Sequence, residues 1–413
     1  MSSITLYGPF TQLLTMEGLP LHGPISDAQL PVSEHQGVLV EDGIVAETGD
    51  FESLAKSYPE AKQPLDGNEN LVALPGFVDC HTHICWGGTR VNDYAMRVAG
   101  KSYLEIAAAG GGISDSVNGT REASEVELIE GILERADQHL RRGITTIEVK
   151  SGYGLSLDAE LKMLRCIKKA NEQTPANLIP TFLGAHIKPK DFKGSHREYL
   201  DFLIREVVPV VQQEGLAKRA DIFVEEGAFG LEESREYVLK MRALGFEMTM
   251  HVDQFHPGGS KMAVEVGSVS ADHLEFCDEE GINAFSNSET VAVALPGASL
   301  GLGMKFTPAR QILDQNGCLA IATDWNPGSA PMGDLITQAS ILGASEKLSI
   351  AETLAGITTR AARAIRIEAG TITKGKKATL TIFETDDFRN IFYHQGQLRP
   401  THTIIEDVLI KHE

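Results

Sequence analysis

The chain has 413 residues, of which 42% are hydrophobic and 23% are charged, and its formal net charge is −20. These proportions are ordinary for a folded globular enzyme. The acidic balance argues against nucleic acid or an anionic membrane as a partner, and it means that an anionic ligand would need a locally cationic pocket. No apolar stretch approaches the roughly 18 residues that a membrane span requires.

The five cysteines are scattered along the chain and form no Cys-x-x-Cys pair. We therefore expect reduced thiols and a cytoplasmic protein. The first residues lack a basic region followed by an apolar core, so we expect no secretory signal. A homodimer is compatible with the sequence, which does not decide the oligomeric state.

Both ends of the chain contain short strand patterns. Residues 37–40 and 43–46 are apolar runs separated by Asp-Gly, which is a hairpin signature. Near the other end, residues 378–383 alternate between apolar and polar side chains, and residues 403–410 resemble a further strand. We predict that the terminal segments together form a small β-sandwich module. Its predicted ranges are 1–70 and 368–413.

Between these ends, a pattern of strand, loop and helix repeats. Residues 126–140 are one predicted helix, with apolar residues three and four apart and Gly143 just beyond its end. Eight strand–helix units in series predict a (β/α)₈ barrel over residues 71–367. A doubly wound sheet would need a Gly-x-Gly-x-x-Gly fingerprint after its first strand, and none is present. The predicted strands are about 71–79, 144–150, 178–183, 221–225, 246–251, 268–273, 290–295 and 319–323.

Two histidines follow the first predicted barrel strand. His81 and His83 are one residue apart, so their side chains point to the same face of an extended chain. Such a pair can bind one metal ion and leave the other coordination positions to distant ligands and a water molecule. Open catalytic zinc sites are organised in this way.

Further ligand-type residues end other predicted strands. His251 ends the fifth strand, His273 ends the sixth and Asp324 follows the eighth. The active site of a barrel lies at the C-terminal ends of its strands. We therefore expect these three residues to meet the histidine pair at one site.

This set, with the lead-in at residues 74–79, resembles the amidohydrolase superfamily over the whole chain. Superfamily members with two metals usually carry a carboxylated lysine at the end of strand 4, but residues 220–226 contain no lysine. Lys150 on strand 2 does not match that position. The resemblance therefore implies one divalent or trivalent metal per chain, zinc or iron. The implied ligands are His81, His83, His251 and Asp324.

The loops resemble those of particular superfamily members, which open an imidazolone ring. The activity implied by this resemblance is hydrolysis of the ring C–N bond of 4-imidazolone-5-propanoate, which gives N-formimidoyl-L-glutamate in histidine degradation. The segments that carry the resemblance are 87–90, 99–103, 109–113, 150–155, 182–186, 270–275 and 322–328.

The substrate of those members carries a propanoate group. Arg90 offers a bidentate fork for this carboxylate, with a surface salt bridge as the alternative interpretation. Tyr103 and Tyr153 offer hydroxyl donors. His186, after the third strand, is expected to hydrogen-bond the ring carbonyl oxygen as it becomes an oxyanion.

The resemblance also implies residues at the glutamate end of the product, with one departure from the family. Asn326, Gly328 and Ser329 are implied there, although the family more often has threonine in place of Ser329. Some members carry glutamate where this chain has Gln254, and an amide cannot take a proton at neutral pH. Gln254 can therefore only orient substrate or water.

Proton transfer then falls to two of the residues at the strand ends. We expect His273 to be the primary proton-transfer group, with Asp324 as second choice.

Two other functions remain as alternatives. A related deaminase of a purine, pyrimidine or triazine ring would use the same ligands, but Arg90 and the tyrosines oppose that interpretation. A metal-free scaffold would require lost ligands, and all the ligand-type residues at the strand ends are present.

Overall fold

The computed structural model describes residues 3–65, 70–101, 105 and 109–412. Within those residues the chain forms an eight-stranded parallel sheet and a seven-stranded mixed sheet. No helix in this part of the chain is long and apolar enough to cross a membrane.

The parallel sheet is the predicted barrel. Its strands neighbour one another in chain order. A parallel bridge between Thr82 and Trp325, just beyond the first and last strands, closes the seam. The predicted fold class is therefore confirmed. The strands are β5 (Phe77–Asp79), β6 (Ile144–Lys150), β7 (Asn177–Ala185), β8 (Arg219–Val224), β9 (Glu247–Val252), β10 (Ser270–His273), β11 (Val291–Ala294) and β12 (Cys318–Ile321).

The mixed sheet is built from both ends of the chain. It curls so that Ile44, in one edge strand, forms an antiparallel bridge with Lys377. The curled sheet encloses a core of its own and forms the module predicted from the two ends of the chain. Its strands are β1 (Ile4–Leu14), β2 (Val32–Glu41), β3 (Ile44–Asp50), β4 (Leu71–Pro75), β13 (Thr379–Glu384), β14 (Pro400–Ile405) and β15 (Val408–Lys411).

The strand predicted over residues 71–79 is in fact two strands in two sheets. Leu71–Pro75 pairs with β1 and β13 of the mixed sheet, whereas Phe77–Asp79 pairs with β6 of the barrel. Between them, a Cβ atom on Gly76 would lie 2.3 Å from Thr145 Oγ1, so only glycine allows the chain to pass the barrel wall. Both strands are fully buried, and one continuous apolar run therefore concealed the break.

Helices connect the barrel strands and cover them. The predicted helix 126–140 is confirmed as Glu125–Leu140. It begins with a capping box, in which Ser124 accepts the N–H of Glu127 and the Glu127 carboxylate accepts the N–H of Ser124. Its buried face, which includes Leu128 and Ile132, packs into the main core.

Several of the helices are short. The α-helices are α1 (Phe51–Ser57), α2 (Val91–Val98), α3 (Ile113–Glu122), α4 (Glu125–Leu140), α5 (Leu157–Asn171), α6 (His196–Phe202), α7 (Val208–Gln213), α8 (Leu231–Ala243), α9 (Gly259–Glu265), α10 (Glu279–Ala284), α11 (Pro296–Leu302), α12 (Ala309–Asp314), α13 (Leu335–Glu346), α14 (Ile350–Gly356), α15 (Thr359–Ala364) and α16 (Asn390–Tyr393). A 3₁₀ turn at Asp27–Gln29 and a π-helical turn at Leu203–Val207 are further helical segments.

Candidate active site

Three imidazoles meet at the C-terminal end of the barrel. The ligand atoms of His81, His83 and His251 all lie within 4.8 Å of one another, and all three side chains are buried. Asp324 joins them, with Oδ1 3.5 Å from His81 Nε2 and 3.3 Å from His83 Nε2. The four ligands expected from the sequence are thus brought together from the segment after β5, from β9 and from the loop after β12.

Two buried carboxylates orient the imidazoles from behind. Asp272 Oδ2 lies 2.6 Å from His81 Nδ1, and Asp221 Oδ2 lies 2.9 Å from His251 Nδ1. Because an ionised carboxylate can only accept, each Nδ1 carries the hydrogen and each Nε2 lone pair faces the shared centre. Sequence reasoning missed both aspartates, although a charged residue inside a buried strand is a signal that could have found them.

Lys150 lies beneath this layer and is fully buried. Its Nζ is 2.9 Å from Glu148 Oε1 and 2.9 Å from Asp221 Oδ2. Burial opposes its charge, but Asp221 and Glu148 outweigh burial and raise the pKa of Lys150. One ammonium group therefore faces several buried carboxylates, which leaves an excess of negative charge inside the barrel.

The residues present fit a metal cation. His81 Nε2 and Asp324 Oδ1 are buried without a hydrogen-bond partner, and both face the shared centre. Burial and Lys150 oppose a proton on His81, but the neighbouring carboxylates of Asp272 and Asp324 outweigh them and raise the pKa of His81 to about 9. The site therefore favours positive charge at this point, and three imidazoles with one carboxylate are a donor set typical of zinc or iron.

His273 lies beside the cluster at the end of β10. Its ring centroid is 5.3 Å from that of His251, and its Nδ1 is 3.5 Å from Glu275 Oε2. The backbone is in the left-handed region at His273 (φ 85°) and at Leu274 (φ 70°), and Thr307 Oγ1 donates to the His273 carbonyl. Consecutive left-handed residues other than glycine are costly and cluster at functional sites.

A cavity of about 770 Å³ opens above the cluster. Most of the substrate-binding residues expected from the sequence line it; Tyr103 lies outside the described residues. Gly328 is buried in the wall, where a Cβ atom would lie 2.4 Å from Arg90 Nη1. The expected residues that line the cavity are Arg90, Tyr153, His186, Gln254, Asn326 and Ser329, together with His83, His251, His273 and Asp324.

Arg90 lies in the cavity wall, and one edge of its guanidinium group already pairs with Asp93. Its Nε and Nη2 are each 2.7 Å from Asp93 Oδ2, and the Asp93 side chain is buried. Asp93 also accepts the N–H of Gly112, which fixes the carboxylate. The surface salt bridge considered from the sequence is thus a largely buried pair at the cavity, with Nη1 remaining beside Gly328.

His186 is held in one tautomer. Its Nδ1 lies 2.9 Å from the Gly152 carbonyl oxygen, which can only accept, so Nδ1 carries the hydrogen. Burial lowers the pKa of His186 to about 4, so the ring is neutral at pH 7 and its Nε2 is an acceptor. Donation of a hydrogen bond from His186 Nε2 to an oxyanion therefore requires the protonated ring.

The loop after β6 is fixed by a carboxylate that the sequence reasoning missed. Glu160 Oε1 accepts the N–H of Gly154 and of Leu155, each at 2.8 Å, and the N–H of Gly152 at 3.2 Å. This contact positions Tyr153 in the cavity and the Gly152 carbonyl against His186. A buried acidic residue in the first turn of a helix, α5, was the available signal.

Asn326 organises the loop after β12. Its Oδ1 accepts the N–H of Gly328 and of Ser329, each at 2.8 Å, and its Nδ2 donates to the Asp324 carbonyl oxygen at 2.7 Å. The side-chain amide is therefore largely used within the loop. It fixes the backbone of the expected ligand Asp324, whose φ is 50°.

The profile of the amidohydrolase family matches residues 72–410. The chain belongs to this family, to which the barrel and the histidine cluster also point. Within it, the chain groups with proteins named imidazolonepropionase. The one from Clostridium tetani is 40% identical over 379 residues, which cover 91% of this chain and 90% of the relative. The one from Herpetosiphon aurantiacus is 40% identical over 404 residues, which cover 93% of each.

Solved structures share the fold at low sequence identity. A variant of an atrazine chlorohydrolase from Arthrobacter aurescens, complexed with zinc and atraton, has a TM-score of 0.71 at 14% identity and covers 98% of this chain and 95% of its own. An adenosine deaminase from Xanthomonas campestris with bound zinc has a TM-score of 0.66 at 16% identity, and the match covers 98% of this chain and 92% of the deaminase. At this level of identity the likeness supports the barrel architecture alone.

Proposed function

We propose that this protein hydrolyses the ring C–N bond of 4-imidazolone-5-propanoate to give N-formimidoyl-L-glutamate, a step of histidine degradation. One observation carries the proposal: a single cavity has the imidazole–carboxylate cluster in one wall and the Arg90 guanidinium in another. Such a cavity suits a small ring that is hydrolysed at one end and carries a carboxylate at the other. The identity to proteins named imidazolonepropionase supports it.

The proposed metal is one zinc or iron ion per chain, held by His81, His83, His251 and Asp324. β8 (Arg219–Val224) contains no lysine that could bridge two ions. When bound, such an ion lowers the pKa of water so that hydroxide is available near neutral pH. Asp272 contacts Nδ1 of His81 and Asp221 contacts Nδ1 of His251, so these carboxylates direct the two Nε2 atoms toward the ion.

His273 is the proposed proton-transfer group. Its Nδ1 faces Glu275, which leaves Nε2 for the reacting groups. There it takes a proton from the attacking water and delivers it to the ring nitrogen as the C–N bond breaks and the C–O bond forms. Asp324 is the second choice, because, despite its burial, the neighbouring imidazoles of His81 and His83 hold its pKa well below the ordinary value.

The remaining cavity residues are proposed to orient the ring. Burial raises the pKa of Tyr153, so its phenol remains an O–H donor at neutral pH. In the neutral ring, His186 Nε2 accepts a hydrogen bond from a ring N–H of the substrate, and the oxyanion role expected from the sequence falls to its protonated form. Arg90 Nη1 binds the propanoate oxygen, since Asp93 occupies the opposite edge of the guanidinium.

Other assignments remain proposals on the resemblance. Asn326, Gly328 and Ser329 are proposed at the glutamate end of the product, Gln254 as an orienting amide and Tyr103 as a hydroxyl donor. We also propose a cytoplasmic location, from the reduced state expected of the cysteines, and a homodimer as the state to test first.

The experiment is metal analysis coupled to an assay of ring opening, with cytosine and guanine as control substrates for a deaminase. We expect hydrolysis of 4-imidazolone-5-propanoate that depends on the metal, and no ammonia release from either base. Deamination of a base without ring opening of the imidazolone would overturn the proposal in favour of the deaminase alternative.

A further inference from the structure

The cavity contains a second guanidinium group that the sequence reasoning did not consider. Arg97 is one of the residues that line it, seven positions after Arg90 at the other end of α2 (Val91–Val98). Both side chains reach Gly328. Arg90 Nη1 lies 2.4 Å from the position that a Cβ atom on that glycine would take, and Arg97 Nη2 is 3.5 Å from its carbonyl oxygen.

Backbone carbonyl groups hold Arg97 in place. Its Nη1 donates to the Gly301 carbonyl oxygen at 2.9 Å, in addition to the longer contact of Nη2 with Gly328. A carbonyl oxygen fixes the position of a guanidinium group but does not neutralise its charge. Among the described residues, no carboxylate oxygen forms a salt bridge with Arg97, whereas Arg90 is paired with Asp93.

The two arginines therefore carry one more positive charge than the carboxylate that forms a salt bridge with them. Arg90 and Arg97 supply two guanidinium charges, and Asp93 supplies one carboxylate. Partial burial, and then the proximity of Arg90, lower the pKa of Arg97 below its ordinary value. In a chain of net charge −20, a half-buried cation that is held by neutral groups is an attractor for an anionic ligand.

We propose that Arg97 is a second determinant of selectivity for carboxylate-bearing substrates, and that it shares the anionic end of the substrate with Arg90. Asp93 pairs with one edge of the Arg90 guanidinium group, so the Arg90–Asp93 pair has no net charge. Arg97 supplies the positive charge that this pair lacks. The effect falls on binding rather than on chemistry, since the hydrogen bonds of Arg97 go to the carbonyl oxygens of Gly301 and Gly328 and not to the cluster residues. This inference deepens the proposed function and rests on it only for the identity of the substrate.

The test uses two stable probes that differ by one charge, N-acetyl-L-glutamate and N-acetyl-L-glutamine. Isothermal titration compares the metal-loaded unsubstituted protein with Arg97→Met and Arg97→Lys. We expect Arg97→Met to weaken binding of the glutamate probe by about tenfold and to leave the glutamine probe unchanged. Arg97→Lys should restore part of the loss, because it keeps a point charge.

The kinetic arm of the test asks whether KM and kcat separate. For ring opening of 4-imidazolone-5-propanoate, Arg97→Met should raise KM by about tenfold while kcat stays within about twofold. Arg165→Met is the matched control: it removes the same charge from an exposed pair with Glu214 and should leave KM and kcat unchanged. Melting curves and metal content verify that each variant is folded and loaded.

Two outcomes would overturn the inference. One is an equal loss of both probes in Arg97→Met, which would mean a structural role. The other is an unsubstituted protein that does not prefer the glutamate probe. If the unsubstituted protein prefers that probe but does not open the imidazolone ring, the proposed function fails and the selectivity role of Arg97 stands.

Discussion

Asp221 Oδ2 lies 2.9 Å from Lys150 Nζ, and the same oxygen lies 2.9 Å from His251 Nδ1. A buried ammonium group therefore stabilises the carboxylate that orients one of the proposed metal ligands. Contacts with the His251 imidazole and with the Lys150 ammonium group hold the pKa of Asp221 well below the ordinary value despite its burial. The hydrogen on His251 Nδ1, and hence the direction of its Nε2 lone pair, depends on this contact.

Replacement of Lys150 by Met should destabilise the protein and weaken metal binding. Removal of one partner of a buried ion pair typically costs about 3–5 kcal/mol, because it leaves an uncompensated charge. Urea denaturation measures the free energy of unfolding, and competition with a chelator measures the affinity for the metal. The exposed pair Lys169–Glu125 supplies the control Lys169→Met, which should change neither quantity by more than about 1 kcal/mol. A Lys150→Met protein as stable as the control would contradict the role of this ion pair.

One metal ion per chain is expected, because β8 provides no bridging lysine. Elemental analysis of the purified protein should return about one zinc or iron per chain. Removal of that ion by a chelator should abolish ring opening, and one equivalent should restore it. Two tightly held ions, both needed for activity, would rule out the mononuclear assignment.

His273→Ala and His251→Ala should differ in metal content. A proton-transfer group typically contributes about 10²–10⁴-fold, whereas a ligand also holds the ion. We therefore expect His273→Ala to retain its metal and to lose kcat by that factor, and His251→Ala to lose both metal and activity. Metal analysis with steady-state kinetics distinguishes the two. A His273→Ala protein without metal would make His273 a ligand, and a loaded, fully active one would move proton transfer to Asp324.

Arg90→Met should lower kcat/KM by about a hundredfold or more, since the loss of one partner of a desolvated charge pair costs about 2–5 kcal/mol. Metal content should not change. The substitution also leaves the Asp93 carboxylate buried without its ion pair, so Arg90→Met with Asp93→Asn is the matched control for stability. The carboxylate-binding role of Arg90 would be contradicted if the unsubstituted protein turned over a substrate analogue that lacks the carboxylate as fast as the natural substrate.

The sequence alone identified the barrel and the candidate ligands for a physical reason. Side chains alternate along a strand, and parallel strands of a barrel end on one face, so His81, His83 and His251 converge without any knowledge of side-chain contacts. The same local rules located Asp324 after the last strand. They also found the helix that follows Ser124, because capping and periodic burial are properties of one segment.

Only the tertiary structure decided which groups lie behind the ligands and opposite them. Asp272 reaches His81, and Asp221 reaches His251, across strands that are distant in sequence. The tautomer of His186 depends on a carbonyl from another loop, that of Gly152. Likewise, the strand break at Gly76 depends on the proximity of Thr145.

The charge balance at the cavity was decided in the same way. Arg97 is an ordinary helical arginine in the sequence, and it becomes an unneutralised cation only because the packed loops offer it carbonyl oxygens of Gly301 and Gly328. A local sequence pattern predicts which side chains of one segment are buried and to which side they point. The partner of a buried charge depends on which distant segments pack against that charge, and the periodicity of the sequence does not predict this packing.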